Sequence, residues 1–164
     1  MTNGKIEFEE TQTYKKSVLK VVLLVTSLLF FYVYLRQEYF NNPITEAPSN
    51  PNGLIAGGTL LFVLFIVFHL ANYKVQILKH GIRFRFWPFH PTWREYPYEN
   101  ISEVSIREFS PEKEFGGRGL RYSFKQKAWM YIITGNHCIE IERKEGGKTL
   151  LGIENAEKVR RIIS

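Results

Sequence analysis

Residues 21–35 read VVLLVTSLLFFYVYL, fifteen consecutive residues without a charge. Adding Ser17, Val18 and Leu19 across Lys20 extends this run to a span of about residues 17–35. At about 1.5 Å per residue, a helix of that length approaches the ~30 Å thickness of the hydrocarbon core of a bilayer. The stretch therefore predicts a first transmembrane helix, with Lys20 near enough to one end for its ammonium to reach the interface.

A second apolar run follows at residues 53–73, GLIAGGTLLFVLFIVFHLANY, which contains no charged residue. Its centre, residues 60–68, is entirely large and apolar, so it has no polar face of the kind that a soluble helix turns to water. The two runs predict a transmembrane hairpin over residues 17–73 with an outer loop at 36–52. His69 lies near the end of the second span, where an interfacial anchor is favoured over a proton path.

Three alternatives to two membrane spans are weaker. A cleaved signal peptide would need a small-x-small site after the first run, but the sequence continues YLRQEYF. Two buried helices would need a larger soluble remainder to surround them. A re-entrant pair would leave backbone groups unsatisfied in lipid. The two-span hairpin is therefore favoured.

The basic residues near the spans predict the orientation. Lys15, Lys16 and Lys20 precede the first span, several Lys and Arg follow the second, and the connecting segment carries only Arg36. Because Lys and Arg concentrate in cytoplasmic segments, both termini are expected in the cytoplasm. The sequence thus predicts a multi-pass protein of the cell (inner) membrane, with a cytoplasmic tail at residues 1–16.

Gly57 and Gly58 are the candidates for a helix–helix contact. Small residues let helix backbones approach closely in lipid, either between the two spans or between copies of the chain. An equally simple interpretation is that these residues merely cost little in lipid.

After Tyr73 the pattern changes from continuous to alternating hydrophobicity. KVQILK and IRFRFW flank His80-Gly81, and AWMYIIT and CIEIERK flank Gly135-Asn136, as in two β-hairpins. The final segment AEKVRRII places its apolar residues on one helical face. Residues 74–164 are therefore predicted to form a β-rich domain of about seven strands, as a bent sheet or partly open barrel with a C-terminal helix.

Several short motifs carry a resemblance to a known family. They are Gly81-Ile82 after the first strand, Tyr98-Glu99-Asn100-Ile101, FGGRGLRYS at 115–123, AWMYIITGNHCIEIE at 128–142 and GGKTLLGIENAEKV at 146–159. With the two preceding spans, they make the chain resemble bacterial membrane proteins that carry a pleckstrin-homology-like (bacterial PH) domain. The resemblance implies a PH-like fold in a membrane setting. It implies no catalytic residues, because such domains usually bind.

The composition excludes several kinds of chemistry. All sixteen acidic residues are Glu, which removes mechanisms that need an Asp nucleophile, an EF-hand loop or a Walker-B aspartate. A single Cys excludes an internal disulfide and a thiolate zinc site. His137 and Cys138 are adjacent, so on a strand they face opposite ways and cannot chelate one metal. The sequence predicts no enzyme, no cofactor and no metal site.

The formal net charge of +6 lies entirely in residues 74–164. The basic residues expected to meet an anionic membrane surface are Lys74, Lys79, Arg83, Arg85, Arg118 and Arg121. Basic groups near an anionic leaflet attract it without selecting a headgroup. Aromatic residues among the arginines of residues 84–98 can stack nucleic-acid bases, but beside a membrane they indicate a sheet core and an interfacial belt, so no nucleic-acid partner is predicted.

We therefore expect a non-enzymatic, membrane-anchored PH-like binding or scaffold module at the inner face of the cytoplasmic membrane. Its partner would be the bilayer itself, another membrane protein or a second copy of the chain. The alternative is an oligomeric small transport or channel component built on the transmembrane hairpin through Gly57 and Gly58.

Overall fold

The computed structural model describes residues 5–14, 18–40 and 50–163. Lys15, Lys16, Ser17 and most of the predicted outer loop lie outside the described residues. The chain divides into two compact units. One contains the two apolar helices, and the other, the β unit, joins an N-terminal strand to everything that follows Leu70.

The apolar runs form two helices, α1 (Val18–Phe40) and α2 (Pro51–Leu70). Both are long and apolar enough to cross a membrane. The side chain of Asn50 accepts a hydrogen bond from the Asn52 amide at 3.0 Å, and Pro51 occupies the first turn, where its missing N–H costs nothing. α2 ends three residues before the predicted limit, because strand β2 (Asn72–Leu78) begins there.

Strand β1 (Ile6–Thr13) occupies the segment expected to be a tail. It pairs antiparallel with β2, so that Thr13 lies opposite Asn72. Its hydrophobic alternation is weak because Phe8 is buried while the next two inward positions are Glu10 and Gln12. Those polar side chains are satisfied by partners far along the sequence, and a local pattern cannot show this.

The first sheet has the order β1-β2-β3-β4, with every neighbouring pair antiparallel. Strands β3 (Gly81–Trp87) and β4 (His90–Pro97) complete it, and the hairpin predicted around His80-Gly81 is confirmed. A Cβ at position 81 would lie 2.5 Å from the carbonyl oxygen of Tyr96, so only glycine allows β4 to approach this closely. Pro91 is tolerated because β4 is an edge strand.

The second sheet has the order β5-β8-β9-β7-β6. Its strands are β5 (Ile101–Glu108), β6 (Gly119–Ser123), β7 (Ala128–Ile132), β8 (His137–Arg143) and β9 (Lys148–Ile153). All neighbours are antiparallel except β7 and β9. The hairpin predicted around Gly135-Asn136 is wrong, because β9 lies between β7 and β8 and the Ile133 and Thr134 amides after β7 bond to Gln12 of β1. A short helix, α3 (Pro111–Phe115), lies between β5 and β6, and α4 (Ala156–Ile163) is the predicted C-terminal helix.

The predicted bent sheet or partly open barrel of seven strands is corrected to two separate sheets with nine strands among the described residues, neither closed into a barrel. The short 3-10 turn Tyr98–Asn100 follows β4 and takes the chain into the second sheet. β4 and β5 consequently remain edge strands of different sheets.

The main core lies between the two sheets and is closed by α4. It includes fully buried residues from both sheets, such as Phe84 and Ile139, together with Val159 of α4. Glu10 fixes the start of this helix, because its carboxylate accepts hydrogen bonds from the amides of Glu154 at 2.8 Å and Asn155 at 3.2 Å. A second apolar cluster, which includes Met130 of β7 and Phe115 of α3, covers the other face of the second sheet.

Candidate functional site

Three of the predicted basic residues share the outer face of the first sheet, which we term the polar face. Lys74 lies opposite Arg85, and Gln76 lies opposite Arg83, in the β2–β3 register. The alternating residues Val75 and Phe84 are buried. The period of two in these strands therefore gathers Lys74, Arg83 and Arg85 on one surface.

Polar contacts link these cations to their neighbours. Lys74 Nζ is 2.6 Å from Glu9 Oε1, and Arg83 Nε donates to Gln76 Oε1 at 2.6 Å. Gln76 Nε2 in turn donates to Glu9 Oε2, so β1, β2 and β3 are joined in one network. The hydrogen bond from Lys74 is the main reason that the pKa of the Glu9 carboxyl is lowered, against the opposing effect of burial.

Trp93 of β4 extends the polar face. Its ring centroid is 4.8 Å from the guanidinium carbon of Arg83 and 5.2 Å from that of Arg85. Both cations therefore share one indole, a favourable cation–π arrangement. Arg83 is thus held by Gln76 and Trp93, and Arg85 contacts Trp93, so both guanidinium groups have partners within the first sheet.

Lys79 is not part of this group. It lies in the β2–β3 turn, at the opposite end of β2 from Asn72. There it lines an open cavity of about 440 Å³ with Glu7, Tyr98, Ile162 and Ile163. The sequence predicts that Lys79, like Arg83, contacts an anionic membrane surface. In the structure Lys79 lies in the turn and not on the polar face.

Arg118 lies in the loop before β6, and Arg121 lies in β6 itself. Arg121 contacts the glycine-rich loop at residues 116–119, which contains Arg118. Arg118 binds Glu112 Oε1 at 3.0 Å, the Gly135 carbonyl at 2.6 Å and Asn136 Oδ1 at 2.9 Å. Arg121 Nε donates to the Arg118 carbonyl at 3.2 Å. These contacts tie the loop at residues 116–119 to α3 and to the segment between β7 and β8.

The two glycines singled out in the sequence lie against α1 within the hairpin. A Cβ at Gly57 would be 2.8 Å from Phe30 Cε1, and one at Gly58 would be 3.2 Å from Phe30 Cβ. Ser27, which is fully buried, donates to the Gly58 carbonyl at 2.9 Å. The small residues thus allow a close contact and an interhelical hydrogen bond inside a single chain.

Gly58→Val should separate the two helices, because the added atoms would overlap the base of the Phe30 side chain. We expect the hairpin to lose about 1–3 kcal/mol of pairing free energy, as overpacked sites do. Energy transfer between dyes on Leu19→Cys and Ile66→Cys, in a Cys138→Ala background in detergent, would measure the pairing. Gly53→Val is the matched control, since the only atom near a Cβ there is Asn50 Cβ at 3.8 Å. Equal energy transfer in both variants would contradict a contact at Gly58.

An ionic network on the second sheet was not predicted from the sequence. Arg107 contacts both carboxylate oxygens of Glu114, at 2.9 and 3.2 Å, and binds Glu140 at 2.6 Å. Lys148 adds contacts to Glu140 at 3.4 Å and Glu142 at 3.1 Å. These residues come from β5, α3, β8 and β9, so only the strand order brings them together. The network ties α3 to the sheet surface.

Burial acts to raise the pKa values of the Glu114 and Glu140 carboxyls, but hydrogen bonds outweigh it and both pKa values are lowered. Arg107 bonds to both carboxylates, Gln126 and the Ser110 amide also bond to Glu114, and Lys148 bonds to Glu140. A lowered carboxyl pKa contributes stability that is fully present above the unfolded-state pKa. That stability is lost as the pH falls through the folded-state value.

The β unit should therefore lose stability as the pH falls below the ordinary glutamate pKa. Glu114→Gln should reduce this acid sensitivity by on the order of 1 kcal/mol, since charge-assisted hydrogen bonds are lost. Urea unfolding of the full chain in detergent, followed by tryptophan fluorescence across a pH series, would measure the effect. Glu145→Gln in an exposed turn is the control. An unchanged pH profile for Glu114→Gln would contradict the assigned role of the network.

Cys138 is not accessible to solvent. Cys138 is fully buried in the second apolar cluster, and burial raises the pKa of its thiol to about 12. In the described parts of the chain, no three His, Cys, Asp or Glu side chains are grouped so that they could hold a metal ion.

No protein-family model matches the chain, and no curated protein matches it.

Proposed function

We propose that this chain is a non-enzymatic, membrane-anchored binding or scaffold module, with the α1–α2 hairpin in the bilayer and the β unit at the inner face of the cytoplasmic membrane. One observation carries the proposal. The chain leaves the first sheet at Thr13 and re-enters it at Asn72, and these residues are register partners. Because one sheet cannot lie on both sides of a bilayer, the two helices between them must cross an even number of times. Two crossings satisfy this requirement.

The charge distribution supports a cytoplasmic β unit. Lys74, Lys79, Arg83 and Arg85 follow α2 within fifteen positions, whereas the segment between the two apolar runs, residues 36–52, carries only Arg36. Basic segments next to membrane spans are retained on the cytoplasmic side. Both termini would then be cytoplasmic, since β1 and β2 belong to the same sheet.

The helices favour anchoring over transport. α2 contains no charged residue, and the charges of α1 lie near its ends. The buried Ser27 hydroxyl is already bonded to Gly58, and both glycines face Phe30 of the same chain. In the described helices there is no polar face to line a path, and the glycines are occupied within the hairpin. These features support a binding module over an oligomeric channel component.

A PH-like assignment is part of the proposal. Its support is the general layout, in which two packed sheets enclose a core and a C-terminal helix closes it. The parallel β7–β9 pair and the helical hairpin between β1 and β2 are additional features of this chain. A domain of this layout exposes sheet faces and edges, which are surfaces for binding a partner.

Site-specific photocrosslinking of the full chain in its native membrane tests this function. A crosslinking amino acid at Thr11, on the exposed polar face, should capture a protein partner. One at Leu29, which is 56% exposed on α1, should capture lipid. Protein adducts from Leu29 that contain copies of the chain, with none from Thr11, would instead indicate an assembly built through the helices.

A further inference from the structure

We propose that a cluster of exposed aromatic side chains on the β unit docks onto the anionic interface of the bilayer that the hairpin crosses. This aromatic surface consists of Phe89, Tyr122, Phe124 and Trp129. The inference rests on the proposed function, since it requires α1 and α2 to lie in a membrane. It adds a contact surface and its partner, a negatively charged lipid headgroup layer.

The aromatic surface is unusually exposed for large apolar residues. Phe124 is 87% exposed, Phe89 51% and Trp129 44%. Trp129 and Tyr122 are register partners on β7 and β6, and their rings lie 5.0 Å apart. The Phe124 ring is another 5.0 Å from that of Tyr122. Exposed aromatic clusters of this kind mark interaction sites.

Buried rings connect this group to the β3–β4 turn. Trp129 stacks on Tyr131 at 6.5 Å, Tyr131 contacts Phe86 at 6.4 Å, and Phe86 contacts Phe89 at 5.6 Å. The exposed residues therefore belong to one aromatic row with a buried centre. The buried Tyr131 and Phe86 rings hold the exposed rings in position but leave them open to solvent.

The strand register places these aromatic rings near one end of the first sheet. Gln12, Tyr73, Phe86 and His90 are successive cross-strand partners. β7 runs along this line of cross-strand partners. At one end Gln12 Oε1 accepts a hydrogen bond from the Ile133 amide at 2.9 Å, and at the other end the Tyr131 ring lies 5.6 Å from the His90 ring. Trp129, further back along β7, continues past the β4 edge.

The adjacent row is the one from which the chain enters and leaves the helices. Thr13, Asn72 and Trp87 are partners in that row. Asn72 follows Leu70, the last residue of α2, by two positions. Trp87 is thus the register partner of a residue that follows α2 closely in the chain. Phe89 follows Trp87 by two residues, so the aromatic surface includes the end of the first sheet at which the chain connects to α2.

The charges around the aromatic surface suit an anionic partner. Lys125 and Lys127 are exposed beside Phe124, and neither forms an ion pair with any residue in the described ranges. Between them, Gln126 donates to Glu114 at 3.1 Å, but that carboxylate is already paired with Arg107. Aromatic rings partition to the headgroup level, and each nearby lysine adds attraction to anionic lipid.

The native tryptophans test the proposal in the full chain. Single-tryptophan variants retain Trp129 (Trp87→Phe, Trp93→Phe) or Trp93 (Trp87→Phe, Trp129→Phe), in nanodiscs of phosphatidylcholine and phosphatidylglycerol. Lipids brominated near the headgroup should quench Trp129 strongly. Trp93, which lies on the polar face under Arg83 and Arg85, should be quenched much less. Equal quenching of the two, or none of Trp129, would overturn the proposal.

A probe in the α1–α2 hairpin distinguishes failure of the docking proposal from failure of the proposed function. Leu29→Trp, with the three native tryptophans replaced by Phe, should be quenched by lipids brominated deep in the acyl chains. If this probe is quenched and Trp129 is not, the hairpin lies in the bilayer and the docking proposal fails. If the hairpin probe is not quenched, the proposed function fails.

Two further variants test the chemistry of docking with matched controls. Phe124→Ser should reduce quenching of Trp129, whereas Tyr98→Ser, beside Lys79, should not. Lys125→Glu should lower the ratio of docked to undocked β unit by at least about fivefold. It should also remove the dependence of Trp129 quenching on the phosphatidylglycerol content. Lys144→Glu in the exposed β8–β9 turn should leave both unchanged. Equal effects of Lys125→Glu and Lys144→Glu would show that only overall charge matters and would overturn the assigned surface.

Discussion

A variant in which Asn-Gly joins Tyr14 directly to Ala71, with α1 and α2 removed, should be soluble in water and keep the fold of the β unit. The reason is that Thr13 and Asn72 are register partners, so a short turn can connect β1 to β2 without moving either strand. Asn-Gly is a favoured hairpin turn sequence. Sedimentation, circular dichroism and cooperative urea unfolding of this variant would measure the outcome.

Deleting residues 1–73 instead should prevent folding. The remainder, 74–164, is the domain expected from the sequence, but it lacks β1, including the buried Phe8 and Gln12, and the fully buried Tyr73 of β2. It also exposes the backbone edge of β2. If this shorter chain unfolds cooperatively with the same midpoint as the Asn-Gly variant, β1 is not an integral strand and the central structural claim fails.

Gln12→Leu should destabilise the full chain by roughly 2–5 kcal/mol. Gln12 is 2% exposed, and its Oε1 accepts hydrogen bonds from the amides of Ile133 at 2.9 Å and Thr134 at 3.0 Å. Its Nε2 donates to the Gly152 carbonyl at 3.3 Å. Leucine fills a similar volume but leaves the Ile133 amide and the Gly152 carbonyl, whose bonds to Gln12 are buried, without these partners, at a cost of about 1–3 kcal/mol for each group.

Thr11→Leu is the matched control for this substitution. Thr11 is the preceding residue of β1, is exposed, and points to the opposite face of the sheet. Urea unfolding followed by the fluorescence of the three tryptophans, all of which lie in the β unit, gives the free energy of unfolding for both variants. A Gln12→Leu protein as stable as Thr11→Leu would show that Gln12 does not link the sheets.

The elements with a strong local pattern were predictable from the sequence. Continuous apolar runs predict α1 and α2, because lipid imposes no amphipathic period on them. The alternation in β2 and β3 and the glycine between them predict their hairpin, and the one-sided apolar residues of α4 predict that helix. In each case the decisive interaction is local or depends only on the solvent.

The remaining structure depends on contacts that are distant in sequence. β1 was missed because its inward residues Glu10 and Gln12 are polar, and their partners lie more than a hundred residues away. The parallel pairing of β7 with β9 has no local signature. α3 was missed because it is a single turn whose apolar residues complete a cluster formed by distant strands.

The candidate site was predictable to the same limited extent. The period of a strand correctly groups Arg83 with Arg85, since they are two residues apart on one face. It cannot show that Trp93 lies under both, or that Glu9 from another part of the chain neutralises Lys74. The aromatic surface likewise joins Phe89 to residues of β6 and β7, and only the packing of two sheets brings these segments together.

The most direct test of the membrane-anchored architecture is thiol labelling of single-cysteine variants, in a Cys138→Ala background, with a membrane-impermeant reagent. Cysteines at Lys5 and at Glu145 report on the two parts of the β unit, and one at Asn50 reports on the residue before α2. In intact cells that express the full chain, Asn50→Cys should be labelled, whereas Lys5→Cys and Glu145→Cys should react only after lysis. Labelling of Lys5→Cys and Glu145→Cys from opposite sides, or of all three from the same side, would contradict a two-span hairpin inserted between the first two strands of a cytoplasmic β unit.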